Sequence, residues 1–184
     1  MAEKISEGEW LRKIEIDIQE CMGKSRLSFA IPMPPSKNNG KRIVHASGRP
    51  FIIPGKAYMQ WADKAGRSLK KFLDGCSDDF KWLLPIKAYT IFEYIIFVSR
   101  KNHLDTDNMF KGLHDIFQEV GLVYDDRYIM PRVKGIYKTR GRENAMVLVF
   151  IQDILRAHID ERKTHTFSKK VHQCISKYME ILSL

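Results

Sequence analysis

A chain of 184 residues with 44% hydrophobic content is long enough for one domain with extensions and a real core, which excludes wholesale disorder. Its formal net charge of +9 favours a polyanionic partner, and nucleic acid in particular, because the acidic residues concentrate in one stretch while the excess Lys and Arg are spread elsewhere. Cys21, Cys76 and Cys174 are far apart with no C-x-x-C pair, which indicates neither a zinc site nor a disulfide framework and fits a reducing cytoplasm. The N-terminus is amphipathic, so no signal peptide is expected. The longest apolar run, Ile91 to Val98, contains Glu93 and is too short to cross a bilayer.

In chain order, Glu9 to Met22 carries Trp10, Leu11, Ile14, Ile18 and Cys21 at helical spacing. Ile14, Ile16 and Ile18 also alternate, so helix and strand both remain open there. Leu27, Phe29 and Ile31 alternate and predict a first strand. Prolines end it, and Ser36-Lys37-Asn38-Asn39-Gly40-Lys41-Arg42 reads as a loop. Its Lys37, Asn38 and Arg42 suit phosphate contacts, although the segment alone also fits an ordinary loop. His45 to Arg49 reads as a turn between short extended pieces ending at Phe51-Ile52-Ile53.

Gly55 to Leu73 predicts a helix with Tyr58, Trp61, Ala62, Ala65, Leu69, Phe72 and Leu73 on the apolar stripe. Lys64 and Lys71 lie off that stripe, on a face that fits either a DNA backbone or solvent. Asp78-Asp79 reads as a cap or loop. Ile86 to Val98 predicts a strand covered on both faces, because apolar residues also fill the intervening sites. His103 reads as a surface residue.

The densest chemistry lies between Asp105 and Asp126. Met109, Phe110, Leu113, Ile116, Phe117 and Val120 predict a helix that Gly121 stops, with Asp107 or Asn108 as its N-cap. Lys111 falls one turn after Asp107, and Asp115 one turn after Lys111. Leu122 to Tyr124 reads as extended and leads to Asp125-Asp126. A strand end, a helix start and a second strand end can bring Asp105, Asp107 and Asp126 together. Three such carboxylates repel one another unless a cation sits between them, and a hard divalent ion such as Mg²⁺ fits. With Lys111 as a second cation, this pattern suits phosphodiester hydrolysis. An EF-hand is excluded, since Met109, Phe110 and Ile116 stand where a ligand, the turn glycine and the bidentate Glu belong. His114-Asp115 has a superficial likeness to an HD phosphohydrolase, and the helical pattern around it argues against one.

Beyond Asp126, Tyr128 to Tyr137 predicts a strand, Lys138 to Arg142 a basic turn whose Lys138 and Arg140 can touch phosphate, and Ala145 to Ile151 a strand pairing back as a hairpin. Ser168 to Leu182 has helical spacing and predicts a terminal helix.

The ordered set Pro34-Pro35-Ser36-Lys37-Asn38, Lys56-Ala57-Tyr58 with Trp61, Asp105-Thr106-Asp107-Asn108 with Lys111 and Asp115, and Gly121 through Asp125-Asp126 resembles the RusA-type endodeoxyribonucleases that resolve Holliday junctions. Leu104 departs from the proline or basic residue often found before the first Asp. The likeness covers residues 26–152, leaving 1–25 as an N-terminal extension and 153–184 as a helical tail. It implies an α+β fold, a small mixed β-sheet flanked by helices, expected as a cytoplasmic homodimer that resolves four-way junctions by paired nicking with Mg²⁺, or Mn²⁺ in its place. It implies Asp105, Asp107 and Asp126 as metal ligands, Lys111 as the essential basic residue, and Asn108, Asp115 and Asp125 as residues that orient the site. The other class to weigh is a branched-DNA-binding or phage regulatory protein without chemistry.

Overall fold

The computed structural model describes residues 7–36, 41–99 and 105–152. The expected tail helix at Ser168 to Leu182, together with Lys37, Asn38, His103 and Leu104, lies outside the described residues. The chain is α+β. Its order is α1 (Glu7–Met22), β1 (Ser25–Pro32), β2 (Arg42–Ala46), β3 (Arg49–Ile53), α2 (Lys56–Asp74), α3 (Asp78–Lys81), β4 (Thr90–Ser99), α4 (Thr106–Glu119), a 3₁₀ turn (Asp126–Tyr128), β5 (Ile129–Thr139) and β6 (Met146–Gln152). It divides into two units. Among the described residues, the first comprises 7–31, 90–99 and 130–152, and the second 32–36, 41–89 and 105–129.

The first unit is built on a four-stranded sheet of order β1-β6-β4-β5. β4 and β6 run antiparallel, with Glu93 opposite Phe150, Ile95 opposite Leu148 and Phe97 opposite Met146. Helix α1 settles the ambiguity of its sequence. Ile14, Ile18 and Cys21 join Ile95, Phe97, Tyr137, Met146, Leu148 and Phe150 in one core cluster, while Ile16 is 55% exposed. Only a 3.6-residue period puts 14, 18 and 21 on one face and turns 16 to solvent. Residues 7–22, within the stretch expected as an N-terminal extension, thus supply core side chains of this unit, each contributing about 1.5–3 kcal/mol when fully buried.

The expected hairpin between β5 and β6 does not form, because β6 lies between β1 and β4 while β5 is at the sheet edge. Burial explains the order. Met146 to Ile151 is buried at every position, as a central strand requires, whereas β5 exposes Pro131, Arg132 and Lys138. Proline and charge are what edge strands carry to resist further pairing. Arg132 pairs with buried Glu93 at 3.6 Å and Lys134 with Glu20 of α1 at 2.6 Å, while the Tyr137 hydroxyl donates to Asp17 of α1. Positions 132 and 134 differ in parity from 137, so the strand changes phase between them, where Gly135 leaves room for the Tyr137 ring. The Lys134 ammonium, first through its hydrogen bond, holds the Glu20 carboxyl down at about 2.

In the second unit β2 and β3 form a separate two-stranded hairpin. Helix α2 runs from Lys56 to Asp74, one residue later at each end than Gly55 to Leu73, and buries Tyr58, Ala65, Leu69 and Leu73. α2 and α4 pack together. The predicted strand at Ile86 to Val98 begins only at Thr90. Ile86 is taken instead into an isolated parallel bridge with Val123, its N–H donating to Leu122 O and its C=O accepting from Tyr124 N, each at 3.0 Å. From Phe92 onward β4 is buried on both faces, as its sequence predicts. Among the described residues no helix is long and apolar enough to cross a membrane.

Candidate active site

Helix α4 is capped by Asp105, not by the Asp107 or Asn108 expected from sequence. Asp105 keeps an extended backbone and accepts through Oδ1 from the Asn108 backbone N–H at 3.1 Å. Its Oδ2 accepts from the Asn108 side-chain amide. A capping side chain accepts from the second or third helical N–H, and Asp105 takes the third, that of Asn108. Asp107 is left in the first turn, exposed, where the positive end of the helix dipole favours a carboxylate. Lys111 follows one turn later, also exposed. Asp107, Lys111 and His114 at i, i+4 and i+7 share one helix face.

The second acidic pair is set by how α4 ends. Gly121 adopts φ +77°, a conformation that favours glycine, and the Leu122 N–H returns to Phe117 O at 2.9 Å. Leu122 and Val123 are buried and pin the chain before it turns. Asp125 then caps the 3₁₀ turn, accepting from the Arg127 N–H at 3.0 Å and pairing with its guanidinium at 3.1 Å. Asp125 is therefore committed to its own turn, while Asp126 stays exposed. This turn contacts α4, and the Asp126 charge is felt at His114. Asp126 thus lies beside the helix that carries Asp107 and Lys111. Among the described residues, no three His, Cys, Asp or Glu side chains form a group that could hold a metal ion.

A search of protein-family models and a search of curated proteins find no match to this chain.

Behind α4 stands a brace that the sequence contains but does not announce. The Tyr58 hydroxyl donates to Asp115 Oδ2 at 3.5 Å, and burial, ahead of the Asp115 charge, pushes the Tyr58 phenol up to about 12. Gly112 makes this approach possible. A Cβ there would lie 3.2 Å from Tyr58 Cε2 and 3.5 Å from Pro34 Cβ. Tyr58 packs on Trp61 with ring centroids 5.6 Å apart, and Trp61 Nε1 donates to Pro32 O at 2.9 Å. The Pro-Pro segment, the start of α2 and the middle of α4 are thus fastened to one another. Asp115 acts in this brace, one turn beyond Lys111.

His114, set aside in sequence, is a built feature. It stacks on Phe110 at 5.7 Å and leans toward Phe117 at 6.2 Å. Burial drives its pKa down to about 4 against the opposing pull of Asp126 and Asp115, so the ring is neutral at pH 7. Its sequence signal is weak, because a histidine beside two aromatics at helical spacing differs little from any core-facing residue.

Of the residues expected to touch DNA, Arg42, Lys64 and Lys71 are exposed in the second unit, Arg42 opening β2 with its guanidinium 3.9 Å from Met59 Sδ. In the first unit Lys138 is exposed but still within β5, not in the turn expected from sequence; Arg140 lies just past the strand, also exposed. The strand runs longer because Thr139 is buried and its hydroxyl bonds Gly141 O at 3.3 Å.

Proposed function

We propose that this protein is a divalent-metal-dependent endonuclease that acts on branched DNA, on the pattern of the RusA-type junction resolvases and as a homodimer in the cytoplasm. The observation that carries the reading is the exposed Asp105 and Asp107 at the start of α4, with Lys111 one turn on and the Asp126 turn against the same helix. Their donor chemistry suits Mg²⁺ or Mn²⁺: hard carboxylate oxygens, few in number, with places left for water and phosphate. Asp105, Asp107 and Asp126 do not form a metal-holding group as they stand and would have to draw together to hold the ion, which when bound would supply a water of lowered pKa and neutralise charge on the scissile phosphate.

The chain's own residues do the rest. Asn108 grips both oxygens of Asp105 and fixes its plane. Lys111 offsets the negative charge that grows on the phosphate in the transition state. The Tyr58–Asp115 contact steadies the helix turn that carries Lys111. The expected product is a nick bearing a 5′-phosphate, and a two-fold dimer would match paired cuts to the symmetry of a four-way junction.

The commitment of Asp105 to capping favours a second reading, a branched-DNA-binding protein without chemistry. One experiment separates them. A synthetic four-way junction and a linear duplex are incubated with the protein in Mg²⁺ or in EDTA. The nuclease cuts the junction only with Mg²⁺, and Asp107→Asn keeps junction binding while cleavage falls by about a hundredfold or more. Binding without any cleavage under either condition refutes the enzyme, and full activity of Asp107→Asn removes Asp107 from it.

A further inference from the structure

Hairpin β2–β3 keeps large apolar side chains in water. Ile43 and Ile52 are 67% and 70% exposed, and Phe51 and Val44 are 50% and 37% exposed. The register sets Ile43 opposite Ile52 and Val44 opposite Phe51. Directly opposed residues share a face, so each side of the ribbon carries an apolar pair. The ribbon pairs with no other strand among the described residues. Its turn is tight, with Ser47 at φ 51° and Gly48 at φ 74°, the positive pair that a two-residue hairpin loop needs. Large apolar side chains clustered on one exposed ribbon, rather than scattered singly, point to an interaction site.

Charge says what kind of partner fits. Residues 41–53 include Lys41, Arg42, His45 and Arg49 and no acidic residue, and all four are exposed. Two copies packed face to face would bring the charges of Lys41, Arg42 and Arg49 together, whereas a polyanion with apolar faces between its charges satisfies both features. Nucleic acid is such a partner: phosphates for the basic rim, bases for the apolar pair. Proteins that part or kink base steps use this combination of aliphatic wedge and flanking cations.

We propose that hairpin β2–β3 is a wedge that seats Ile43 and Ile52 against unstacked bases at a DNA branch point. The proposal rests on the branched-DNA reading above and names the surface that recognises the branch. The wedge has a footing. Arg42 at its base lies against Met59 of α2, and the neighbouring Tyr58 touches Asp115 of α4, the helix that bears Lys111. A base step held by the hairpin is thereby held in register with the cleavage face.

The test uses the full chain in EDTA, a four-way junction with 2-aminopurine at the branch point, and a linear duplex of the same sequence. In Ile43→Thr/Ile52→Thr the β-branched shape and strand preference are kept and the apolar surface is removed. Wild type raises the branch-point emission on binding. The Thr pair binds the junction about tenfold or more weakly, loses most of the emission rise and binds duplex as before. Ile43→Phe/Ile52→Phe keeps the rise, which separates loss of the wedge from loss of folding, and matching far-UV spectra and melting curves check the same point. Equal junction affinity and equal emission from the Thr pair and wild type overturn the wedge alone, provided wild type prefers the junction. A Thr pair that sediments as monomer where wild type is dimeric, with the emission rise intact, overturns it in favour of an interface between copies. No preference for the junction by wild type, with no cleavage in Mg²⁺, overturns the nuclease reading and the wedge together.

Discussion

His114→Gln tests whether burial really holds that imidazole neutral. The unfolded chain takes up a proton at His114 around the ordinary 6.5, while the folded chain does so only near 4. Between those values unfolding gains a proton, so acid favours the unfolded chain. The penalty is absent above pH 6.5, grows by about 1.4 kcal/mol per pH unit below it, and levels off near pH 4 at about 3 kcal/mol. By pH 5 it amounts to about 2 kcal/mol, a substantial share of the 5–15 kcal/mol typical of a domain. Gln keeps a polar, hydrogen-bonding side chain but does not titrate. Urea unfolding at pH 7.5 and pH 5 should show wild type losing about 2 kcal/mol more than His114→Gln over that interval. An NMR titration of the ring protons reads the same group directly. A midpoint at or above 6.5, or an identical pH dependence in the variant, refutes the reasoning.

Asp105 serves as cap and candidate ligand, and two substitutions separate these roles. Asp105→Asn keeps the cap and should unfold within a few tenths of a kcal/mol of wild type, whereas Asp105→Ala should cost about 1 kcal/mol; both should lose junction cleavage in Mg²⁺. Full cleavage by Asp105→Asn would leave capping as its only task. At Gly135 an added Cβ would meet the Tyr137 ring at 2.7 Å. Gly135→Ala should therefore displace that ring from Asp17 and lower stability by about 1–3 kcal/mol, seen as a lower melting temperature, and an unchanged melting temperature would show that β5 relaxes freely.

Periodicity carried a good deal of this fold. α2 and α4 are legible because their apolar residues recur every three or four positions and nothing nearby competes for them. β4 is legible as a doubly covered strand because no position from Phe92 to Val98 is a natural solvent residue apart from Glu93, which is buried against Cys21 and Arg132. The failures are equally specific. The cap of α4 lies two residues before Asp107 because three acceptors compete within four residues, and only the backbone path decides which one reaches the third N–H. Strand β6 follows β5 in sequence across a short turn, which favours a hairpin, yet it pairs with β1 and β4, where a strand buried on both faces sits in the middle of the sheet.

The amino-acid order alone determined the acidic pairs, the lysine one turn behind the first of them, the helix that separates the pairs and the basic excess around them, since these depend only on neighbours within a few residues. Tertiary structure decided the partners of each group. It left Asp107 and Asp126 exposed, tied Asp115 to Tyr58 from 57 residues away, partly buried His114, and left the Ile43–Ile52 pair exposed. Local pattern fixes which face a side chain takes, but what meets that face depends on contacts between segments far apart in the chain, and those exist only once the segments have packed.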